Sequence, residues 1–345
     1  MVHRGPLVKN GFGDTTFEKE SGLRQHCLRI GSFNLNNLVL PGKPFYTCSP
    51  YSAAEYLLKL CWIRQQLRRM KADIVGFQEV FHLAALRQAV AYSEQYHQAT
   101  VVLAGETGDK PRVGLLSRYP LSQLEIIEAF PEQFRLAFDD IVLPVHQFSR
   151  PLLKATVEIP DSGAMTVFVV HLKSKRPLLS PACDPQDPAA LAIGKAKALT
   201  VRAAEAAAFR HILISELSGG GRPVTVLGDL NDTANAVTSE IITGAPTWRP
   251  AVSETATAVL YNAWDVQQNG HRDTDYYTHI YNGALENLDL VLVSRDFLHD
   301  YPQRRGYVSE VAVFNDHLVD DTMQPPLPRW QSDHGQVTAT IVMEN

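Results

Sequence analysis

The sequence predicts an α+β fold in which mixed β-sheets carry helices on their outer faces. Over the first part of the chain, strand-like apolar segments alternate with helical segments. Several later strands follow one another without an intervening helix, and this mixture is typical of mixed sheets with outer helices. Hydrophobic residues make up 45% of the 345 residues, which is enough for a sizeable core.

The first predicted strand runs from Leu28 to Phe33, directly before Asn34. The helix after it is predicted by a capping box at Ser52 and Glu55 and by apolar residues at helical spacing. These apolar residues are Tyr56, Leu57, Leu60, Ile63, Leu67 and Met70. Arginines fall largely between them, which favours a solvated helix face over a nucleic-acid patch. They are Arg64, Arg68 and Arg69.

The remaining elements follow the same patterns. Strands are predicted over residues 74–77, 113–116, 167–170, 224–227, 288–293 and 337–342. A second helix passes through Leu86 and Val90, and an Ala-rich helix spans 189–217 with a possible interruption at Gly194. Residues 244–275 and 315–331 are predicted to be long surface loops. Residues 1–26 are expected to be a loose leader, and 27–345 a single domain.

Composition restricts the partners that we expect. The formal net charge is −5, so a nuclease would need a local basic groove. None of the four cysteines lies in a C-x-x-C pair, and Cys61 is expected to be buried in its helix. No segment has the pattern of a signal peptide or a membrane span, so the chain is predicted to be cytoplasmic. No protein partner is evident.

Polar residues follow several predicted strands at the point where each strand ends. They are Asn34, Glu79, His171 and Asp229. Each is compatible with an ordinary turn or cap, as are Asn231 and the Ser332-Asp333-His334 segment. Together they indicate a site, because strand ends in a layered fold converge on one edge where ligands bind.

Their chemistry suits the hydrolysis of a phosphate ester. The reaction needs a hard cation, a base that positions water, and donors that stabilise the phosphate oxygens. Mg²⁺ prefers oxygen ligands, which Glu79 with Asn36 or Asn34 could supply. Asp229 could act as the base, with His171 and His334 donating to the phosphate.

These segments resemble the endonuclease/exonuclease/phosphatase superfamily, which includes DNase-I-like nucleases. The matching segments, in the order of the family, are GSFNLNNL, DIVGFQEV, VGLLSRYPL, FSRPLLKATV, VFVVHLKSK, VTVLGDLND, LDLVLVS and SDHGQV. The resemblance implies a four-layer α/β/β/α sandwich, with two mixed sheets packed face to face and helices outside. It also implies a Mg²⁺ cofactor, for which Mn²⁺ could substitute.

The resemblance further implies a role for each matching residue. Glu79, Asn36 and Asp333 would lie at the metal, and Asn34 would orient the phosphate or a metal-bound water. Asp229 would activate water, Asn231 would fix the water or the phosphate, and Asp289 would hold the ring of His334. His171 would stabilise the phosphate, as in the DNase-I-like branch. Whether Asp229 or His334 is the base stays open, and Asp109 is one possible partner for His171.

Substrate contacts are expected from two further regions. Arg150 and Lys173 could meet flanking phosphates, and for Lys175 and Arg176 a solvated loop is an equal alternative. Tyr277 and His279 lie in an aromatic run whose alternate residues share one face, including Tyr281. That face could stack on bases or serve packing.

Three functions therefore remain open. The first is a metal-dependent nuclease or phosphodiesterase. The second is a phosphatase or phospholipase-like enzyme that acts on an inositol phosphate, a nucleotide or a lipid headgroup. The third is a non-catalytic binding protein on the same fold.

Overall fold

The structure, a computed structural model, describes residues 26–91, 93–106, 108–138, 141–219, 221–244, 258–268, 276–320, 322 and 326–344. The expected leader therefore lies outside the described residues except for His26. Three helices are long: α1 (Ala53–Met70), α2 (Leu83–Val90) and α3 (Pro188–Gly219). Two are short: α4 (Val237–Thr243) and α5 (Ala263–Val266).

Sixteen strands occur in the described residues. In chain order they are β1 (Cys27–Leu38), β2 (Ile74–Val80), β3 (Thr100–Leu103), β4 (Arg112–Ser117), β5 (Leu121–Ala129), β6 (Ala137–Phe138), β7 (Ile141–Val142), β8 (Gln147–Ile159), β9 (Gly163–His171), β10 (Val224–Asp229), β11 (Leu260–Asn262), β12 (His279–Tyr281), β13 (Ala284–Glu286), β14 (Asp289–Ser294), β15 (Gly306–Phe314) and β16 (Gln336–Met343).

Twelve of these strands form two six-stranded mixed sheets. The first sheet has the order β15-β16-β1-β2-β4-β3, and the second has the order β11-β14-β10-β9-β8-β5. In each sheet one central pair is parallel, β1 with β2 and β9 with β10, while the other pairs are antiparallel. The remaining strands form two separate hairpins, β6-β7 and β12-β13.

The two sheets pack face to face around an apolar core. Ile30 and Ile74 from the first sheet meet Val169 and Leu227 from the second in this central layer. The outer face of the first sheet is covered by α1 and α2, and that of the second by α3 and α4. This arrangement is the predicted four-layer α/β/β/α sandwich. Each sheet buries one apolar face against the other sheet and the opposite face against helices.

Several predicted elements are confirmed with small shifts at their ends. Ser52 and Glu55 form the predicted capping box of α1. The Ala-rich helix α3 runs without interruption, because Gly194 gives room to Pro177 and Leu179 where the chain crosses the helix. A side chain at position 194 would clash there.

Other predictions are wrong in part. Cys61 is exposed and Leu57 is 61% exposed, so the buried stripe of α1 is narrower than the apolar pattern indicated. The predicted loop at 244–275 contains α5 and also β11, which pairs with β14. Both elements are only three or four residues long, too short for periodicity to reveal.

No helix among the described residues is long and apolar enough to cross a membrane.

Gly228 marks the closest approach of two strands beside the polar edge. A Cβ at this position would lie 2.2 Å from the carbonyl oxygen of Val170 in β9. We therefore expect Gly228→Ala to lower the free energy of unfolding by about 1–3 kcal/mol, measured by urea denaturation. Gly219→Ala is the matched control, since a Cβ there meets nothing within 4 Å. Equal unfolding midpoints for the two variants would contradict this explanation.

Candidate active site

Strand register brings the polar residues together. In the first sheet Asn34 of β1 lies opposite Gln78 of β2, which places Glu79 just beyond it. In the second sheet Asp229 of β10 lies between His171 of β9 and Asp289 of β14. Because both parallel pairs end at the same edge of the sandwich, the two sets face each other across it.

Asp229 is the centre of this arrangement. It is 1% exposed, and its Oδ1 accepts a hydrogen bond from the backbone N–H of Asn231 at 2.8 Å. Its Oδ2 accepts from Asn34 Nδ2 at 3.0 Å and lies 3.3 Å from Nε2 of His171. Burial raises the pKa of the Asp229 carboxyl above its ordinary value, and Asp289 acts in the same direction, against the opposing effect of His334. Such a carboxylate is well suited to take up a proton near neutral pH.

His334 is held by a second buried carboxylate. Its Nδ1 lies 2.7 Å from Oδ2 of Asp289, and its Nε2 lies 3.9 Å from Oδ2 of Asp229. Burial alone would lower the pKa of His334, but Asp289 and Asp229 raise it well above its ordinary value. Asp289 is itself fixed by Thr278, whose hydroxyl accepts from its backbone N–H at 3.1 Å. Asp289 therefore orients the ring and favours its protonated form, in which Nε2 can donate.

Glu79, Asn36 and Asn37 lie on the side of the site that belongs to the first sheet, and we call this group the Glu79 wall. Asn36, Asn37 and Glu79 all have positive φ values, of 45°, 61° and 61°. Such backbone strain in non-glycine residues concentrates at functional sites. Asn37 donates its backbone N–H to Oε2 of Glu79 at 3.0 Å, and Asn36 donates its own to Oδ1 of Asn34 at 3.0 Å.

This wall fits a divalent cation. Glu79 is half-buried, and its pKa is raised by desolvation first and then by the charge of Asp333. A cation would relieve the repulsion between the two carboxylates, and Asn36 adds an amide oxygen, the ligand type that Mg²⁺ prefers. Two other groups could also hold an ion: Asp229 with Asp289 and His334, and His279 with Asp333 and His334.

His171 lies beside Asp229 in a buried position. Burial first, then the charges of Arg150, His334 and Lys173, lower its pKa well below the ordinary value, so the ring is neutral. Its Nδ1 is buried without a hydrogen-bond partner among the described residues. The carboxylate found at the ring is that of Asp229, and no hydrogen bond to Nδ1 supports the expected partner Asp109.

Arg150 and Lys173, the two cations expected to contact substrate, differ in how their side chains are engaged. Arg150 is half-buried near His171 and donates to the carbonyl of Leu172 at 2.9 Å, while its buried Nε has no partner among the described residues. The Lys173 amino group instead bonds its own loop, with Ser174 and Arg176 carbonyls at 3.0 and 3.3 Å. Of these two side chains, Arg150 therefore keeps a donor, its Nε, without a partner among the described residues, whereas the Lys173 amino group is engaged.

The aromatic run divides between two environments. His279 packs against His334, and the centroids of the two rings are 4.9 Å apart. Tyr281 stacks on His279 at 6.4 Å and is 58% exposed. Tyr277 is half-buried before the strand, and its carbonyl accepts from Asn315 Nδ2 at 3.0 Å. His279 and Tyr281 thus share a face, as predicted from the alternation.

Two buried charged residues near the site were not found from the sequence. Glu205 of α3 accepts the backbone N–H groups of Ser149 and Lys173, each at 2.7 Å, and so fixes the segments that carry Arg150 and His171. Lys59 of α1 is 0% exposed and donates to the Asn36 carbonyl at 2.8 Å. Its place on the buried stripe, three residues after Tyr56, was the available signal.

The buried ammonium of Lys59 makes stability depend on pH. Burial lowers its pKa to about 7, although Asp333 and Glu79 act in the opposite direction. Between about pH 7 and 10.5 the unfolded chain binds a proton here that the folded chain does not, so unfolding becomes harder as the pH rises. Below about pH 7 both states are protonated and this dependence ends.

We therefore expect the stability of Lys59→Met relative to wild type to increase as the pH falls from about 10 to 7. The expected slope is about 1.4 kcal/mol per pH unit, flattening below pH 7, because methionine carries no proton. Urea denaturation in a chelator measures it without bound metal. Lys71→Met, at the exposed end of α1, is the control and should show no slope. Parallel pH curves for wild type and Lys59→Met would contradict the burial of a charged lysine.

Comparisons with known proteins agree with this architecture. The chain has 14% identity to an endonuclease/exonuclease/phosphatase family protein from Bacteroides thetaiotaomicron, with 93% of this chain and 99% of that one covered at a TM-score of 0.57. A mannosyl-6-phosphatase of Bacteroides thetaiotaomicron shares 14% identity over 92% and 100%, at 0.56. D. rerio TDP2, solved with a single-strand DNA product, shares 14% over 91% and 98%, at 0.53.

At these identities the solved structures establish the shared fold. No curated protein sequence matches significantly. The sequence model of the endonuclease/exonuclease/phosphatase family, however, matches residues 31–334, which include every strand that contributes to the site. The chain therefore belongs to the endonuclease/exonuclease/phosphatase family, whose members hydrolyse phosphoric esters.

Proposed function

We propose that this protein is a Mg²⁺-dependent phosphodiesterase that cleaves nucleic acid. The observation that carries the proposal is the buried Asp229 carboxylate, which is oriented by Asn34 and Asn231 and lies beside two imidazoles. A phosphodiester is attacked by water, so a base and donors to the phosphate oxygens must converge on one point.

In this proposal Asp229 takes the proton of the attacking water. His334 is the weaker candidate for the base, because Asp289 and Asp229 keep it protonated. It instead donates from Nε2 to a phosphate oxygen as the bond to the leaving group breaks. His171 is buried against Asp229, and its lowered pKa favours the neutral ring with one N–H, which can donate either to that carboxylate or, with substrate bound, to a phosphate oxygen.

Glu79, Asn36 and Asp333 would hold the Mg²⁺ ion. The ion, when bound, neutralises phosphate charge and polarises the phosphoryl group. Asn231 would position Asp229 rather than react itself. Its backbone N–H donates to Asp229 Oδ1, and its side chain donates to the Leu172 carbonyl at 3.0 Å. Its φ of 54° makes both contacts possible.

Two features support nucleic acid as the substrate. Arg150 has a buried Nε without a partner among the described residues and lies beside the site, where a phosphate oxygen could accept from it. The stacked rings of His279 and Tyr281 lead outward from His334, and an exposed ring next to a phosphate site suits base stacking.

A small phosphate ester is the second candidate, and one observation favours it. The amino groups of Lys173 and Lys175 are engaged, the former by its own loop and the latter by Glu286 at 2.5 Å and Asp232 at 3.8 Å. The basic groove expected of a nuclease is therefore weak in the described residues. A phosphatase or phospholipase-like activity would not need one.

The activity is tested with the metal-stripped full chain, supplied with Mg²⁺ or Mn²⁺. Substrates are plasmid DNA, single-stranded DNA, bis-p-nitrophenyl phosphate and a panel of phosphomonoesters. Asp229→Asn should lower kcat at least about 100-fold by removing the base. Asp161→Asn, an exposed turn residue with a φ of 61° before the far end of β9, is the matched control. Equal turnover by wild type and Asp229→Asn would contradict the role of Asp229.

The choice of substrate is tested by the exposed ring. Tyr281→Ala should raise KM for single-stranded DNA about fivefold or more, since a stacked base contributes about 1–3 kcal/mol. It should leave KM for bis-p-nitrophenyl phosphate unchanged. Leu285→Ala is the control, because Leu285 lies on the partner strand of the same hairpin and is 53% exposed. A turnover of phosphomonoesters well above that of DNA would favour the second candidate.

A further inference from the structure

A second group of potential metal ligands lies beside the catalytic edge. His279 of β12 and the adjacent Asp333 and His334 each offer one ligand atom, and these atoms lie within 4.8 Å of one another. We propose that this trio, the imidazole site, binds a transition-metal ion such as Zn²⁺. It is distinct from the oxygen-rich group at Glu79 and Asn36.

The ligand types determine which ion fits. Two imidazoles and one carboxylate suit Zn²⁺ and Co²⁺, whereas Mg²⁺ prefers oxygen ligands only. Bonds of about 2.0–2.2 Å require ligand atoms roughly 3–3.5 Å apart. Any pair of ligand atoms near the 4.8 Å limit must therefore approach by about 1–2 Å, which requires side-chain rotation of the exposed Asp333 and of the half-buried His279.

Each imidazole has a carboxylate near its Nδ1 atom. Asp289 Oδ2 lies 2.7 Å from Nδ1 of His334, which leaves its Nε2 for an ion. Glu286 Oε2 lies 3.9 Å from Nδ1 of His279, and that nitrogen is buried without a hydrogen-bond partner among the described residues. A carboxylate that orients a metal-binding histidine is a general feature of metal sites; Asp289 orients His334 in this way, and Glu286 lies near enough to His279 to do so after a small movement.

The hairpin β12-β13 keeps this geometry in place. Lys175 contacts Glu286 at 2.5 Å, which ties the hairpin to the loop after β9. The hairpin also continues into the strand that carries Asp289, so both orienting carboxylates belong to one segment. Asp333 is exposed, so an ion can reach the site from solvent.

Occupation of the imidazole site has a consequence for the proposed function. An ion bound at Nε2 of His334 occupies the nitrogen that donates to the phosphate, so it inhibits hydrolysis. This consequence rests on the proposed function, whereas binding of the ion does not. A binding experiment therefore distinguishes failure of one from failure of the other.

The test is calorimetric titration of the metal-stripped full chain with Zn²⁺, repeated with Co²⁺ and read by its visible absorption. Wild type should bind one Zn²⁺, and bound Co²⁺ should show the absorption of nitrogen ligation. His279→Phe keeps an aromatic ring but removes a ligand, so Zn²⁺ should bind at least about tenfold more weakly. Tyr281→Phe, on the same strand and stacked on His279, is the matched control and should bind as wild type does.

Two variants complete the test. Glu79→Gln should weaken Mg²⁺ binding and leave Zn²⁺ binding unchanged, which separates the two sites although Asp333 borders both. His279→Gln, with far-UV circular dichroism, replaces His279→Phe should that variant be unfolded. Unchanged Zn²⁺ affinity in a folded His279 variant would overturn the proposal, as would loss of Zn²⁺ binding in Glu79→Gln. Inhibition by Zn²⁺ at fixed Mg²⁺ that is relieved at least about tenfold in His279→Phe would support the consequence for hydrolysis.

Discussion

A buried hydrogen bond joins the two sheets at the site, from Asn34 Nδ2 of β1 to Asp229 Oδ2 of β10 at 3.0 Å. Both groups are buried, so an unpaired partner would be costly to leave in the core. The same bond places the Glu79 wall, which follows the strand beside β1, against the Asp229–His171–Asp289 row of the second sheet. The relative position of the two halves of the site thus depends on this bond together with the contact of His334 Nδ1 with Asp289 Oδ2 at 2.7 Å.

The part of the site that the sequence could predict is the part set by strand ends. Asn34, His171 and Asp229 each follow a recognisable apolar segment, and parallel register brings such positions together without knowledge of other contacts. Mixed sheets with outer helices were predictable for a similar reason, since the strands and helices carry local periodicity, whereas the four-layer sandwich was implied by the resemblance to the family. Where periodicity was weak, as in β11 and α5, the sequence indicated only a loop.

The part that could not be predicted depends on contacts between distant segments. Glu205 is one residue in a long Ala-rich helix, and only the fold brings it to the backbone N–H groups of Ser149 and Lys173. Lys173 itself shows the limit of reasoning from residue type, because a lysine after a catalytic strand suggests a phosphate contact. Its amino group instead bonds the carbonyls of its own loop.

The charges of the edge explain why cations matter to it. Asp229 and Asp289 are buried carboxylates, Glu79 is half-buried, and the exposed Asp333 borders them. Cations offset them unevenly. Arg150 acts on Glu79, as does Lys59 where it is protonated, below about pH 7, while His334 lies between Asp229 and Asp289. A buried carboxylate without compensation becomes protonated and loses its value as a ligand or base. In the proposed function, a divalent ion at the Glu79 wall would therefore do more than bind phosphate, because it would also favour the ionised form of Asp229, the proposed base.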